Sequence, residues 1–455
     1  MRSKLSEIVK AAGGTLLCGD ENTVVTTFFT DSREAKAGAM FVPIRGEKTD
    51  GHKFIGMALE NGAAASFTEE KAAPRTGPLV LVNDCRAALQ KVGAWYRSQF
   101  SIPVVGITGS VGKTTAKEMV AQALAAQYNV HKTAGNQNSQ VGVPITVCGL
   151  RKEHTAAVVE MGVSMPGEMA RISAVVKPTC AVMTNIGVSH IEYMKSRENI
   201  LAEKARIADH LPEDGALFVN GDDDLLPSLK QSGKHRVIAF GLSPQCDWRA
   251  SSLREADKGT FFTCEGPGGE RQELFVPAAG QHNVRNALAA MAVARYLSVP
   301  AENAARAIGA YKAPAMRQQI EEANGLTIID DSYNASPDSM RSALEVLASR
   351  KNTGKKAAVL ADMLELGDLA QEGHFSVGKY AREKGVELLA AIGPLSKEIA
   401  AGYGQGAHWF ATNQEAAAFL KEALQPGDAV LVKGSRGMKT DEIVAALKEA
   451  GAIRG

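Results

Sequence analysis

The stretch Gly106–Thr115, "GITGSVGKTT", joins a short β-rich run, "SIPVV", to a helix-like segment, "AKEMVAQALAAQ". A glycine loop between strand and helix turns backbone N–H groups and the helix N-terminus toward an anion. Here Gly109, Ser110, Val111 and Gly112 make the turn, and Lys113 supplies a cation able to reach β- and γ-phosphates. Thr114, followed by Thr115, supplies a hydroxyl for Mg2+. Ile107 stands where the strict G-x-x-x-x-G-K-[ST] pattern has glycine, so the motif is the variant T-G-S-x-G-K-T-T. Nucleotide binding is the chemistry this spacing predicts.

Two more side chains fit that site. Glu160 ends the apolar run in "AAVVEMG", and His190 follows another in "TCAVMTNIGVSHIE". Strand carboxyl ends in parallel sheets face the ligand crevice. A carboxylate and an imidazole beside a triphosphate can hold a cation, although Mg2+ prefers oxygen ligands. The plainer readings are a solvated strand end for Glu160 and loop structure for His190. Lys204, in the helix-like "ENILAEKARIADHL", gains no role from periodicity, because most helical lysines solvate a face.

The elements that must position these groups follow from the rest of the chain. Its 455 residues are read as two to four domains. Hydrophobic residues at 45% and charged residues at 22% match a globular chain with cores. A net charge of +1 gives no field that favours nucleic acid or a membrane surface. The start lacks a secretory pattern, and no apolar run reaches the roughly 18 residues of a membrane span. The six cysteines are scattered without a C-x-x-C pair, so buried thiols in a reducing cytosol are expected.

Three sections separate. Residues 1–99 give short strands ("TVVTTFFTDSR", "AMFVPIRG", "PLVLV") and helical pieces, as in a small α/β domain. Residues 100–313 alternate apolar strands with helices, the mark of a parallel sheet covered on both faces. Between Arg236 and Pro277 the pattern changes to antiparallel hairpins. Residues 314–455 repeat the βα rhythm in "LTIIDDSYN", "KKAAVLADM", "ELLAAIG", "HWFA" and "DAVLVKGS". The expected architecture is α/β in three domains. A small N-terminal domain precedes a central P-loop ATPase-like sheet with a small antiparallel section, and a Rossmann-like domain ends the chain. Ligands should bind where they meet.

Taken together, "TGSVGKTT", "GNQNSQVGVP", "EMGVS", "TNIGVSHIE", "HNVRNALAA", "DDSYNASPDSM" and "KGSRGMKTDEIV" resemble the Mur ligases. The nucleotide motif alone also admits folylpolyglutamate synthases. "DDSYNASPDSM" and the N-terminal "TDSR…FVPIRGE…DGH" are more specific. They resemble the members that join D-alanyl-D-alanine to UDP-N-acetylmuramoyl-tripeptide in peptidoglycan precursor synthesis. The resemblance implies a cytoplasmic, monomeric enzyme in which ATP phosphorylates a carboxylate and an amine then attacks the acyl phosphate. Two alternatives stay open. One is a sister ligase adding a single amino acid, against which the missing D-N-P-R signature counts. The other is a non-catalytic nucleotide-binding module, against which Glu160, His190 and Lys204 count together.

By the same resemblance, Lys113 meets the phosphates, Thr114 and Glu160 hold one Mg2+, and His190 helps to hold a second. Lys204 matches a lysine that reacts with CO2 to give a carbamate ligand; Arg206 replaces a frequent acidic residue nearby. Asn283 and Asn286 in "HNVRNALAA" serve base and ribose, with a helix N-cap as the other reading of Asn283. Arg317, preceded by Met316 where glycine is frequent, lies near the phosphates. Asp331, Tyr333 and Asn334 let the C-terminal domain reach the nucleotide, or Tyr333 packs at a domain contact.

Ser32 and Arg33 in "TDSR" would receive uridine diphosphate. Gly46, Asp50 and His52 belong to the same segment or only shape its loops. Asn136, Asn138 and Ser139 fit a peptide-side groove, Ser139 replacing a frequent Asn. His374, Lys433, Ser435 and Arg436 are candidates for the dipeptide or the acyl chain. Arg436 could grip a carboxylate through two parallel hydrogen bonds, or form a surface ion pair.

Overall fold

A computed structural model describes residues 1–46, 49–73, 76–256, 258–351, 354–449 and 451. Its largest sheet runs Arg271–Val276, Gly259–Glu265, Trp248–Ala256, Arg236–Gly241, Ala216–Asn220, Cys180–Met183, Val104–Thr108, Ala156–Glu160, Val130–Lys132. Pairing is parallel from Val130–Lys132 through to Trp248–Ala256, and antiparallel only for the last two strands. The expected antiparallel section therefore begins later than Arg236. Arg236–Gly241 extends the parallel sheet because its apolar end, Ala239–Gly241, is buried between neighbouring strands.

Both faces of this sheet are covered, as its unbroken apolar strands require. Val105 and Ile107 enter a cluster with the helices Lys113–Leu124 and Gln281–Tyr296. Val104, Val159 and Met183 join a second cluster that continues through the helix Cys85–Arg97 to Phe28 and Phe67. One core thus cements the N-terminal sheet to the central one.

The N-terminal sheet is ordered Thr15–Cys18, Leu79–Leu81, Ala65–Thr68, Ala39–Phe41, Thr27–Phe29, with only its first strand antiparallel. The C-terminal sheet is ordered Gln319–Ala323, Leu326–Asp330, Ala429–Lys433, Lys356–Ala361, Leu388–Ile392, Ala407–Phe410. Its edge strand Gln319–Ala323 is again the only antiparallel one. Among the described residues the chain is thus α/β, with three mostly parallel sheets in series and a two-stranded antiparallel pair, Ser3–Lys4 with Val24–Val25. Among the described residues no helix is long and apolar enough to cross a membrane.

Candidate active site

The phosphate loop lies between the strand Val104–Thr108 and the helix Lys113–Leu124. Gly112 takes φ +82°, the left-handed turn that starts the helix. Gly109 takes φ +147°, and a Cβ there would lie 1.9 Å from Thr184 Oγ1. The loop is braced from the next strand: the amides of Ser110 and Val111 donate to Asn185 O and Oδ1 at 3.0 and 2.8 Å. Gly187 N donates to Ser110 Oγ at 2.9 Å, and Thr184 Oγ1 donates to Val111 O at 2.6 Å. Lys113 Nζ folds onto the carbonyls of Gly109 and Ser110 at 2.8 and 3.1 Å. Burial pushes its ammonium below the usual lysine range, with Glu160 opposing the shift and Arg317 adding to it.

Glu160 ends its strand 1% exposed. Its Oε1 accepts from Thr114 Oγ1 at 3.1 Å and from Asn138 Nδ2 at 2.7 Å, whereas Oε2 has no hydrogen-bond partner. The nearest cation, Lys117 Nζ, is 4.0 Å from Oε2 and is engaged by Thr133 O and Glu118 Oε1 at 2.9 Å each. A buried carboxylate oxygen without a donor costs about 1–3 kcal/mol. With a threonine hydroxyl beside it, that oxygen suits a hard, oxygen-preferring cation such as Mg2+.

Lys204, on the helix Arg197–Ala205, is enclosed, and its Nζ has no hydrogen-bond partner. Burial, then repulsion from Lys113, holds its amine well below the ordinary lysine range. No acceptor in the surrounding interior accounts for that amine as a structural ammonium. The neighbouring Glu203 fixes the helix, accepting from Gly167 N at 2.8 Å and Met169 N at 2.7 Å. His190, at φ +61°, places Nδ1 2.5 Å from Glu365 Oε2 of the C-terminal section, at ion-pair distance but outside hydrogen-bond alignment.

A cavity of about 1400 Å3 gathers most of these groups. Its walls include residues 110–115, Asn136, Asn138, Ser139, Glu160, His190, Asn283, Asn286, Arg317, Asp331, Tyr333, Asn334 and Lys433. Arg317 stacks on the Tyr333 ring at 4.0 Å, a contact within the C-terminal section. Lys433 Nζ is buried between Asp331 Oδ2 at 2.6 Å and Asn334 O at 2.8 Å. Asn283 Nδ2 donates to Ala279 O at 2.7 Å and Gln318 Oε1 at 3.2 Å from inside its helix, so it is not an N-cap. Lys204 is not on the cavity wall.

Other expected residues lie elsewhere. Ser32 is buried in a short 3-10 turn, and Arg33 is folded onto Asp31, with Nη2 2.5 Å from Oδ2. Gly46 N donates to Thr49 O at 3.0 Å, and Asp50 Oδ1 contacts His52 Nδ1 at 2.7 Å, which shapes that loop. A separate cleft of about 370 Å3 is lined by Thr30, Glu34, Lys36, His131 and Lys132 among others, and Ser32, Arg33, Gly46 and Asp50 are not on its wall. His374 is wholly buried: Nδ1 is 2.6 Å from Ala370 O, and Nε2 accepts from Met363 N at 2.9 Å. Neither nitrogen is left for a substrate, so the expected dipeptide contact is corrected to a structural one. Ser435 Oγ likewise accepts from Leu364 N at 2.9 Å, and exposed Arg436 pairs with Asp441 at 3.3 Å.

Family models described as "Mur ligase family, catalytic domain", "Mur ligase middle domain" and "Mur ligase, glutamate ligase domain" match residues 25–103, 107–294 and 316–436. The UDP-N-acetylmuramoyl-tripeptide–D-alanyl-D-alanine ligase of Bacillus subtilis is 37% identical over 94% of each chain. The chain belongs to the Mur ligase family. A crystal structure of MurF from Acinetobacter baumannii superposes with a TM-score of 0.91 at 31% identity, covering 99% of both chains. MurF from Thermotoga maritima, solved with ADP, gives 0.83 at 28% identity, over 94% of this chain and 98% of that one.

Several residues of this Mur ligase site were not singled out by the sequence. Asn185 lies inside the quoted "TNIGVSHIE" and could have been read as a loop brace. Lys117 stands one helical turn after Lys113, but its approach to Glu160 depends on tertiary packing. Glu365 in "ADMLELGD" carries no local signal at all, since its partner is 175 positions away.

Proposed function

We propose that this chain, acting as a cytosolic monomer, uses ATP to join D-alanyl-D-alanine to UDP-N-acetylmuramoyl-tripeptide. The products are the UDP-linked pentapeptide, ADP and phosphate. The observation that carries this reading is one cavity shared by the phosphate loop, the half-satisfied Glu160, His190, and Asp331 and Lys433 from the C-terminal sheet. The near full-length relative that bears this activity in its name supports it.

A carboxylate is a poor acyl donor, because oxide would have to leave. Transfer of the γ-phosphoryl group to a carboxylate oxygen breaks the bond to ADP and gives an acyl phosphate. The dipeptide amine then attacks the acyl carbon and loses a proton, and phosphate departs with the oxygen it gained. The first step brings two anions together, so it needs fixed cations in a water-poor site.

In this reading Lys113 leaves its own loop carbonyls for the β- and γ-phosphates, and residues 109–115 enclose them. Thr114 and Glu160 would hold one Mg2+, and His190 with carbamylated Lys204 a second. Bound Mg2+ supplies charge neutralisation for the two acids. Asn283, Asn286, Arg317, Asp331, Tyr333 and Asn334 surround the nucleotide. Asn136, Asn138 and Ser139 border the peptide, while Ser32, Arg33, Gly46 and Asp50 serve the uridine diphosphate end. Lys433 and Arg436 remain the groups for the dipeptide or acyl chain, through charge. The test is purified protein with ATP, Mg2+ and both organic substrates. Phosphate release and pentapeptide mass should require both substrates together; release with either alone would refute the reading.

A further inference from the structure

His190 and Glu365 meet across the central and C-terminal sections, and both are non-glycine residues in left-handed backbone, at φ +61° and +65°. That conformation disfavours L-residues and persists only where surroundings impose it. The imposing contacts are visible on the Glu365 side. Asp362 Oδ1 accepts from Ser396 N and Oγ at 2.7 Å each, and Asp362 O accepts from Ser435 N at 3.1 Å. His374 and Ser435 then take the amides of Met363 and Leu364, and Leu366 is buried in the C-terminal core. Glu365, clamped on both sides, is left with its side chain about half exposed and directed to His190.

The central section meets this loop with equal definition. Val188 packs on the C-terminal core, and its amide lies 3.4 Å from Asp338 Oδ2. Gly367 lies against Glu192, so closely that a Cβ would come within 3.2 Å of that side chain.

We propose that Glu365 is a positioning residue through which the C-terminal section orients the His190 imidazole at the reaction centre. A carboxylate 2.5 Å from Nδ1 favours the proton on that nitrogen and so leaves Nε2 as the lone-pair atom, on a residue that lines the cavity. His374 and Ser435 act one step further back, by holding the backbone that presents Glu365. The imidazole is therefore set only when the C-terminal section is docked, which couples docking to the chemistry. This inference rests on the ligase reading above.

The test compares full-length wild type with Glu365→Ala and Glu365→Gln in two assays. Steady-state ligation is run with all substrates, and Mn2+ binding is titrated by electron paramagnetic resonance with a non-hydrolysable ATP analogue. Glu365→Ala should lower kcat about tenfold with little change in KM for ATP, and weaken the looser Mn2+ phase about tenfold. Glu365→Gln, which keeps an acceptor, should recover part of both losses, and melting midpoints should stay within about 2 °C of wild type. Wild-type kcat and Mn2+ binding in Glu365→Ala would overturn the proposal, as would losses that merely follow a lowered melting midpoint. If wild type makes no pentapeptide while Glu365→Ala still weakens Mn2+ binding, the ligase reading fails and the positioning role stands.

Discussion

Lys204 is a lysine without an acceptor, in an interior that also holds Lys113. A charged ammonium there would repel both Lys113 and any divalent ion, whereas a carbamate would supply anionic oxygen. Lys204→Ala should therefore lose about a hundredfold in kcat. A short carboxylic acid able to fill the space should restore part of that loss, and steady-state assays with and without it decide the matter. Gly109 makes a different demand, for space rather than charge. Gly109→Ala should lower stability by about 1–3 kcal/mol and abolish tight binding of a fluorescent ATP analogue, because its Cβ would collide with Thr184. Unaltered binding would show that the loop tolerates another shape. Gly109 and Lys113 were legible in the sequence because phosphate recognition is local, fixed by consecutive residues. The unpartnered Oε2 of Glu160 was not, since Thr114 and Asn138, distant in sequence, both donate to Oε1 and leave Oε2 bare only through tertiary packing.

At the scale of elements, the strands read well from sequence where both faces are buried, as in Val104–Thr108 and Ala429–Lys433. Gln319–Ala323 escaped notice because an edge strand with two glutamates and alternating exposure carries little apolar signal. The Met363–Leu364 loop depends on a neutral His374. Burial lowers the proton affinity of that imidazole, although its bond to Ala370 O and the charges of Asp362 and Glu398 oppose the shift. Burial acts in the same direction on His282 and His131. Below the ordinary histidine value of about 6.5 the unfolded chain takes up protons that the folded chain resists, so stability falls with falling pH. The loss should begin near pH 6.5 and continue down to the lower folded values. Melting curves should show that decline, and a His374→Gln variant should show a shallower one; parallel curves would contradict this account of His374. The buried Lys433–Asp331 pair offers a second check on this sheet. Lys433→Ala should cost about 3–5 kcal/mol by stranding Asp331, with much of the loss recovered in Lys433→Ala/Asp331→Ala, as denaturant titrations can measure.

For the whole molecule, the serial arrangement of three sheets explains why the chemistry is divided along the chain. The phosphate loop and Glu160 come from the central sheet, while Asp331, Lys433 and Glu365 come from the C-terminal one. The order of sheets could be anticipated from motif positions, whereas Lys204, Ser435 and Arg436, named from their motifs, lie off the cavity wall. Which residues touch across the interface could not, because those contacts are set by how whole sheets dock. The account's central claim is that phosphate activates the carboxylate to which the dipeptide is joined. The most direct measurement uses UDP-N-acetylmuramoyl-tripeptide carrying 18O in its terminal carboxylate, with mass analysis of the phosphate released during ligation. The account predicts one 18O atom in each phosphate, formed together with the pentapeptide. Pentapeptide formed alongside unlabelled phosphate would contradict it.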